Sequence, residues 1–260
     1  MKIKHRISGS WESNQIKLLS KYGFEVSGFD TLDIEENETY FELKPYLVKW
    51  GVLDIRYPEF TNKEVEDSLL SVKNGSHLNG YPMPDNDTGY LDLTYDLSNY
   101  CTSCGTGLKQ KDSFRIKSEP KLGKKRIYQL TWVNDELFVD KELYKDVFKP
   151  LGIKCKYVLL YKKETILEHT VQLVIPETIE DLNLEGYPIE RCDVCKVLKY
   201  SPMPIGFYPT YQNEKLQIFK TKEYFGSGAS AFKKIYIAQE LREKLISLKI
   251  EKRPWYIPAK

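Results

Sequence analysis

The sequence predicts an α+β fold with mixed and antiparallel sheets and few helices. Strand-like and helix-like segments follow one another in irregular order along the 260 residues, without the alternation typical of parallel sheets. Two distant CxxC pairs suggest that widely separated segments meet, and no low-complexity linker divides the chain. Hydrophobic residues make up 41% and charged residues 29% of the chain, a balance typical of soluble globular proteins.

The N-terminal region is predicted to form strands and loops up to residue 58. "MKIKHRI" alternates in polarity, and so does part of "TYFELKPYLVKWGVLDIRY". A helix is expected next, because Thr61 and Glu64 form a capping box and Asn74 supplies a stop signal. Its apolar residues at helical spacing are Val65, Leu69 and Val72.

The middle of the chain begins with a loop, "NGSHLNGYPMPDNDTGYLD", that is rich in Gly, Pro, Asn and Asp. Asp85, Asp87 and Gly89 within it lack the EF-hand spacing and its closing Glu, so no calcium site is predicted. Further on, "SFRIKSEP" and "KRIYQLTWV" are strand-like, and a short helix is expected from about Asp140 to Phe148.

The C-terminal half is predicted to begin with a hairpin formed by "GIKCKYVLLY" and "TILEHTVQLVIP". A turn, "FGSGAS", a strand, "FKKIYIA", and a helix with Leu241, Leu245 and Leu248 on one face follow. We predict three parts packed as one globule: 1–90, 91–200 with an inserted β-rich segment 106–190, and 201–260.

Five cysteines are present, as the pairs Cys101/Cys104 and Cys192/Cys195 and the single Cys155. Two CxxC turns that face each other complete a tetrahedral site with zinc–sulfur distances of about 2.3 Å. The separation of the pairs (192 − 104 − 1 = 87 residues) exceeds that of common zinc ribbons, so a sheet must be inserted between them. The sequence predicts a zinc-ribbon-like site that holds one structural Zn²⁺ between two distant knuckles.

The residue after each pair differs. Gly105 follows the first pair, where positive φ lets the backbone fold over the sulfur at little cost. Lys196 follows the second pair, so the second knuckle is expected to be less ideal. The negative charge of four zinc-bound thiolates would be offset by nearby basic residues, namely Lys109, Lys111, Arg191, Lys196 and Lys199.

Other uses of the paired cysteines stay open. Disulfides are disfavoured because the sequence shows no export signal. Redox chemistry needs a strand-to-helix context, whereas "CTSCGTGL" indicates a turn into a strand. An iron–sulfur centre has the right number of ligands but no supporting spacing. Structural zinc is favoured, since a closed shell of four thiolates leaves no open position for chemistry.

Two charged segments stand out although the formal net charge is only +2. The acidic segment 25–42 contains seven acidic residues and no basic one. The basic segment 109–126 contains eight basic residues against Asp112 and Glu119. Either segment can be a binding surface, and either can equally be an ordinary solvated face.

No catalytic motif is evident. None of His5, His77 and His169 lies in a metal-ligand pattern, and "GSGAS" lacks the Lys-Ser/Thr of a phosphate-binding loop. The remaining candidate is a pair formed by Cys155 and His169, which the predicted hairpin places on one side of the sheet. The alternative is a buried cysteine and a satisfied core histidine among apolar neighbours, and it is favoured.

Several phrases of the sequence resemble the double-CXXCG motif proteins, a paralogous family best known from myxobacteria. They are "LDLTYDLSNYCTSCGTGLKQKDSFRIK", "QLTWVNDELFV", "FKPLGIKC", "VQLVIPETIEDLNLEGYP" and "FKTKEYFGSGASAF", and they run with the second CxxC from about Tyr90 to Tyr256. The resemblance implies metal ligands at Cys101, Cys104, Cys192 and Cys195. It departs at Lys196, where the family has glycine. Family members are similar to immunity proteins carried beside secreted toxins.

These observations lead to a functional hypothesis. We expect a non-enzymatic, zinc-stabilised binding protein, an immunity protein that neutralises a cognate bacterial toxin. The alternative is a zinc-ribbon protein that binds nucleic acid through segment 109–126, which the near-neutral charge disfavours. The expected toxin-binding residues lie in the acidic segment: Glu35, Glu36 and Glu38 with the exposed rings of Tyr40 and Phe41.

The N-terminal "MKIKHRISGSWESN" has no apolar h-region and no apolar run approaches the length of a membrane span, so we expect a cytoplasmic protein without a membrane partner. The oligomeric state is not predicted.

Overall fold

A computed structural model describes residues 1–86, 88–212 and 214–260. Asp87, which belongs to the rejected calcium loop, lies outside the described residues. Two compact units make up the chain. Unit 1 comprises Met1–Glu64 and Met203–Phe207, and unit 2 comprises Val65–Pro202 and Tyr208–Lys260. The predicted α+β class is confirmed, with mostly antiparallel sheets. The predicted division into three parts stays a prediction.

Unit 1 is a three-stranded antiparallel sheet with two helices. Its elements are β1 (Lys2–Ser10), α1 (Ser13–Lys21), β2 (Phe29–Glu35), α2 (Glu38–Trp50) and β3 (Leu53–Glu59). Strand β1 lies between β2 and β3, so that Ile7 pairs with Leu32 on one side and with Asp54 on the other. The core of the unit contains Ile7, Trp11, Leu19, Leu32, Ile34, Leu43 and Leu47.

The prediction of only strands and loops before residue 58 is wrong at α1 and α2. Asn37 caps α2 by accepting a hydrogen bond from the Tyr40 amide at 3.2 Å, and Gly51 ends the helix with φ of 64°. The aromatic and β-branched residues of α2 suggested strands. In the fold, Leu43 and Leu47 are buried one turn apart, and this tertiary packing overrides their neighbours' strand propensity.

Unit 2 contains most of the strands. The first helix, α3 (Asn62–Asp67), contains the boundary between the units. The elements up to the second knuckle are β4 (Leu70–Lys73), β5 (His77–Leu78), α4 (Gly89–Thr94), β6 (Tyr95–Asp96), β7 (Lys109–Gln110), β8 (Arg115–Ile116), β9 (Ile127–Gln129), β10 (Phe138–Asp140), α5 (Lys141–Leu143), β11 (Lys154–Leu160), β12 (Thr165–Val174) and β13 (Ile189–Arg191). The remaining elements are β14 (Leu198–Tyr200), β15 (Ile218–Lys220), β16 (Tyr224–Phe225), β17 (Ile235–Ala238), α6 (Gln239–Ser247) and β18 (Tyr256–Pro258).

Within the described residues of unit 2, the strands form four sheets. The largest has the order β5-β9-β10-β12-β11-β8, and a second has the order β15-β17-β4-β18. A three-stranded sheet, β13-β14-β16, begins just before the second CxxC pair, and β6 pairs with β7 around the first. The inserted sheet that the cysteine spacing required is therefore present between the two pairs.

The helix predicted from Thr61 is only half right. The capping box is confirmed, because the Glu64 carboxylate accepts from the Thr61 amide at 2.8 Å and the Thr61 hydroxyl accepts from the Glu64 amide at 3.2 Å. The helix ends at Asp67, and β4 follows as an inner strand between β17 and β18. Val72 therefore lies in a fully buried strand rather than on a helix face.

Four other predicted elements are confirmed. The hairpin forms as β11 and β12, and the helix near residue 140 forms as α5, continued by a π-helical turn at Tyr144–Phe148 and a 3₁₀ turn at Lys149–Leu151. The C-terminal strand and helix form as β17 and α6. Leu241 and Leu245 are buried as expected, whereas Leu248 is exposed because it lies at the end of α6. None of the described helices is long and apolar enough to cross a membrane.

Candidate metal centre

The first knuckle, residues 101–106, is a tight turn closed by backbone hydrogen bonds. The Gly105 amide donates to the Cys101 carbonyl at 2.8 Å, and the Cys101 amide donates to the Thr106 carbonyl at 2.9 Å. Gly105 adopts φ of 81°. These bonds turn the chain back on itself, so that the two thiol groups point to the same side.

The second knuckle, residues 192–197, repeats this geometry. The Lys196 amide donates to the Cys192 carbonyl at 3.0 Å, and the Cys192 amide donates to the Val197 carbonyl at 3.0 Å. Lys196 adopts φ of 64°, the left-handed conformation that Gly105 has in the first knuckle. The expectation of a less ideal second knuckle is confirmed by the backbone strain at Lys196, although these two hydrogen bonds match those of the first knuckle.

The two knuckles bring their four thiols together. Equivalent cysteines face each other, with sulfur–sulfur distances of 3.8 Å for Cys101–Cys192 and 3.5 Å for Cys104–Cys195. All four Sγ atoms lie within 4.8 Å of one another. A tetrahedral ion with metal–sulfur distances of about 2.3 Å requires sulfur–sulfur distances of about 3.8 Å. The four residues therefore fit a single ion of this size.

The cluster is mostly shielded from solvent. Cys101, Cys104 and Cys192 are buried, and Cys195 is exposed on one side. The Thr106 hydroxyl lies 3.1 Å from the Cys104 sulfur and 3.7 Å from the Cys195 sulfur. The single proton of this hydroxyl can be donated to either sulfur and supports negative charge there, as the outer partners of metal ligands do. The sequence does not point to Thr106, because a threonine after a CxxCG turn carries no distinctive signal.

The protonation of the thiols differs between the knuckles. Burial raises the pKa of Cys104 to about 11. The backbone amide of Cys195 lowers the pKa of Cys192 to about 6, against the opposing effect of burial. Cys192 thus favours the thiolate form, whereas burial of Cys104 favours the protonated thiol unless a cation lies nearby. A bound metal ion supplies such a charge.

Lys199 joins the first knuckle to the turn "FGSGAS". Its side chain is fully buried, and its ammonium group donates to the carbonyls of Cys104 and Ser230, each at 3.2 Å. It also contacts the Gly228 carbonyl and forms an ion pair with Glu190 at 3.2 Å. The sequence indicated a basic residue that offsets thiolate charge, and the structure adds a cross-link between two backbone segments.

Replacing Lys199 should therefore be costly. We expect Lys199→Met to lower the free energy of unfolding by about 2–4 kcal/mol, because it leaves buried carbonyl groups without a donor. The control is Lys222→Met, which removes an exposed ion pair with Asp181 and should cost less than about 1 kcal/mol. Urea denaturation of both variants measures the difference. Equal losses would contradict the cross-linking role of Lys199.

Cys155 and His169 do not meet. Cys155 pairs across the hairpin with Leu173. His169 lies four residues before Leu173 in β12, which is about 13 Å along the strand at about 3.3 Å per residue. The His169 side chain is 73% exposed and lies 3.9 Å from the Glu168 carboxylate. Cys155 lies instead beside the Tyr144 hydroxyl, whose pKa it raises to about 12. The expectation of a core histidine is also wrong, because this side chain is exposed in the stretch of β12 where the register with β11 shifts.

Three of the seven acidic residues of the acidic segment 25–42 form ion pairs within unit 1. Ion pairs of 2.8–3.0 Å join Lys2 to Glu35, Arg6 to Asp33 and Arg56 to Glu36. The hydrogen bonds from Arg56 and His5 lower the pKa of Glu36 to about 2. The count of acidic residues therefore overstates the charge that this segment presents.

The five residues predicted to contact a toxin are divided by the fold. Tyr40 is only 3% exposed, with its ring stacked 3.7 Å from His5 and its hydroxyl donating to Asp54 at 2.9 Å. The expectation of an exposed Tyr40 is wrong, because the capped start of α2 turns the ring inward. Phe41 is 55% exposed, and Glu38 is exposed in the first turn of α2. Their role in binding stays a prediction.

The basic segment 109–126 loses its two arginines to ion pairs. Arg115 is buried, with Asp112 at 3.0 Å and Glu164 at 2.9 Å, and Arg126 contacts Asp140. The lysines of the segment are exposed: Lys109, Lys111, Lys117, Lys121, Lys124 and Lys125. Arginine is the residue best suited to bidentate phosphate contacts, so the segment is a weaker candidate for nucleic acid than its charge suggests.

The chain matches no protein-family profile, no curated protein and no solved structure.

Proposed function

We propose that the four-cysteine cluster binds one zinc ion whose role is structural. The observation that supports this most strongly is the group of four thiols within 4.8 Å of one another, which satisfies tetrahedral zinc with no position left for water or substrate. The short sulfur–sulfur distances suit one ion and leave no room for the several iron and sulfide atoms of a cluster.

We further propose that the chain is a non-enzymatic binding protein of the cytoplasm, an immunity protein that sequesters a cognate toxin. The proposal is motivated by the resemblance to the double-CXXCG motif proteins, and the closed thiolate shell is compatible with it. The Cys155 and His169 side chains, the one catalytic pair suggested by the sequence, lie apart. Sequestration needs only a stable surface, and a metal clip that fixes distant segments provides stability.

Titration in cells and in solution tests this proposal. The toxin candidate is the product of the gene beside the one that encodes this chain, produced with graded amounts of the chain. We expect growth to recover only when the chain reaches about equal amounts with the toxin, and the purified proteins to form a stable complex. Protection by small, catalytic amounts would show an enzyme instead, and the lack of both protection and complex would exclude an immunity role.

Within the acidic segment 25–42, we propose that the toxin binds to the outward face of α2. Glu38 and Glu42 are exposed one turn apart, and Phe41 lies between them. We expect Glu38→Gln with Glu42→Gln to slow association with the toxin and flatten its salt dependence, because rim charges act on the association rate. Phe41→Ala should instead speed dissociation, since buried aromatic anchors hold a complex together.

Stopped-flow binding measurements at several salt concentrations check this. The control is Glu168→Gln with Glu185→Gln, which removes the same charge from exposed positions elsewhere in the chain. If the control slows association as much as the α2 variant does, only net charge matters and α2 is an ordinary solvated face.

A further inference from the structure

A cavity of about 310 Å³ lies in unit 2 beside the first knuckle. Its volume equals the share of about ten water molecules, so it can admit a small organic group. Five aromatic residues and a single carboxylate are among its lining residues: Tyr90, Tyr95, Tyr100, Trp132, Phe232 and Asp135. The metal centre is adjacent, because Gly105 of the first knuckle forms part of the wall.

Trp132 is held at this cavity at an energetic cost. Its φ of 73° is a left-handed conformation that disfavours a bulky side chain. The indole is 47% exposed, so burial does not explain the strained backbone. The ring stacks against Tyr90 with centroids 6.0 Å apart and meets the Tyr81 ring edge-on at 4.8 Å. The fold therefore fixes an exposed aromatic surface at the cavity, as ligand sites do.

Among its described residues, the lining of the cavity contains one acidic residue, Asp135, and no Lys, Arg or His. The Asp135 side chain is held in place by the Lys233 amide, which donates to its Oδ2 at 3.2 Å. Burial first, and then Tyr100 and Asp135, raise the pKa of Tyr90 to about 12. The carboxylate field thus reaches the rings, and it disfavours an anionic ligand.

We propose that this cavity binds an organic cation, an alkylammonium or guanidinium group held by the aromatic rings and Asp135. Aromatic faces attract cations through their quadrupoles, and several rings with one carboxylate recognise quaternary ammonium groups. Phosphates and carboxylates are repelled by the Asp135 carboxylate. A neutral ligand has no charge–charge attraction to that carboxylate. The proposal concerns a small-ligand site and does not depend on the toxin hypothesis.

A matched pair of ligands separates cation recognition from simple apolar binding. Choline and 3,3-dimethylbutan-1-ol have nearly the same shape, and only choline is charged. We expect calorimetric titration of the full, metal-loaded chain to give a dissociation constant at least about tenfold lower for choline. Fluorescence of Trp132 should change on binding. Equal affinities, or no binding of choline at about 10 mM, would overturn the proposal.

Two variants assign the binding to the cavity. Asp135→Asn keeps an oxygen for the Lys233 amide and should weaken choline binding about tenfold, with little effect on the neutral alcohol. Trp132→Ala should weaken choline binding about fivefold. The control is Asp92→Asn, an exposed residue of α4, the helix that carries Tyr90. If Asp92→Asn weakens binding as much as Asp135→Asn, the cavity is not the site.

The natural cation can be a free metabolite or a side chain of a partner protein, and two more ligands distinguish these sources. Tighter binding of the N-acetyl amides of trimethyllysine or arginine than of choline would indicate a protein side chain. Tighter binding of choline would indicate a free quaternary ammonium compound. Both results support a cation site, provided that Asp135→Asn weakens the binding.

Discussion

Cys192→Ser should release the metal and lower the melting temperature of the chain by about 10–15 °C, whereas Cys155→Ser should change neither. The four ligand cysteines lie within 4.8 Å of one another, and removal of one thiolate opens the tetrahedral shell. Cys155 lies in β11 opposite Leu173 and has no part in the cluster. Metal analysis of the purified variants should give one zinc per chain for Cys155→Ser and almost none for Cys192→Ser.

Chain entropy explains the size of this effect. The metal ties Cys101 to Cys192, which are 91 residues apart in sequence. Closing a loop of about 100 residues on folding costs about 4–5 kcal/mol of chain entropy. The free energy of zinc binding offsets this cost, because the four-thiol site exists only in the native state. For a chain of this size, each kcal/mol shifts the melting temperature by about 2–4 °C. Removal of zinc from the wild type with a chelator should reproduce the shift.

The result would contradict a structural zinc in either of two cases. One is a Cys155→Ser protein that loses the metal while the Cys192→Ser protein keeps it. This result would show that the four proposed ligands are wrong. The other is an apo-protein with unchanged melting and unchanged partner binding, which would show that the ion has no structural role.

The sequence predicted the metal centre better than the elements around it. The ligands could be named because CxxC is a local pattern that fixes two thiols in one turn, and four thiols need only one meeting point. The sequence indicated Lys199 only as a nearby positive charge, and its cross-link could not be predicted because the bonded segments are distant in sequence. Thr106 lies within the first knuckle, but a threonine at this position carries no distinctive signal. Lys199 donates to the Ser230 carbonyl, and only the folded chain brings these two residues to within 3.2 Å.

The helices of unit 1 could not be predicted from the local sequence pattern. The residues of α2 have aromatic and β-branched side chains that also suit strands, and Pro45 lies inside the helix. Burial of Leu43 and Leu47 against the sheet decides for the helix, and such tertiary contacts do not appear in local periodicity. Tertiary contacts also bury Tyr40 in the core, although its charged neighbours in sequence suggested an exposed position.

Gly105→Ala should destabilise the chain by more than about 3 kcal/mol and weaken metal binding, whereas Lys196→Gly should stabilise it by up to about 1 kcal/mol. Both residues follow a CxxC pair and adopt positive φ, 81° and 64° respectively. A side chain in this conformation costs about 1–2 kcal/mol, and the second knuckle already carries that cost. Glycine at residue 196 removes this strain from the native state. Part of the gain is lost, because glycine increases the conformational entropy of the unfolded chain.

The first knuckle differs from the second because its backbone touches another segment. A Cβ on Gly105 would collide with the Ala229 carbonyl oxygen and lie 2.9 Å from the Ala231 amide nitrogen. These atoms belong to the segment that Lys199 holds through the Ser230 carbonyl at 3.2 Å, so the segment cannot move away without breaking that bond. The strain would therefore fall on the knuckle and on Cys104, the most buried ligand.

Lys196→Ala is the control for the chemical change, since it leaves a Cβ where one already exists. We expect it to alter the free energy of unfolding by less than about 1 kcal/mol, through loss of the bond from the Lys196 ammonium group to the Asp193 carbonyl. Urea denaturation and competition with a zinc chelator measure stability and affinity for the three variants. If Gly105→Ala and Lys196→Ala behave alike, close packing does not explain the glycine of the first knuckle. A large loss confined to Gly105→Ala would show that the knuckles share a conformation and differ in what packs against them.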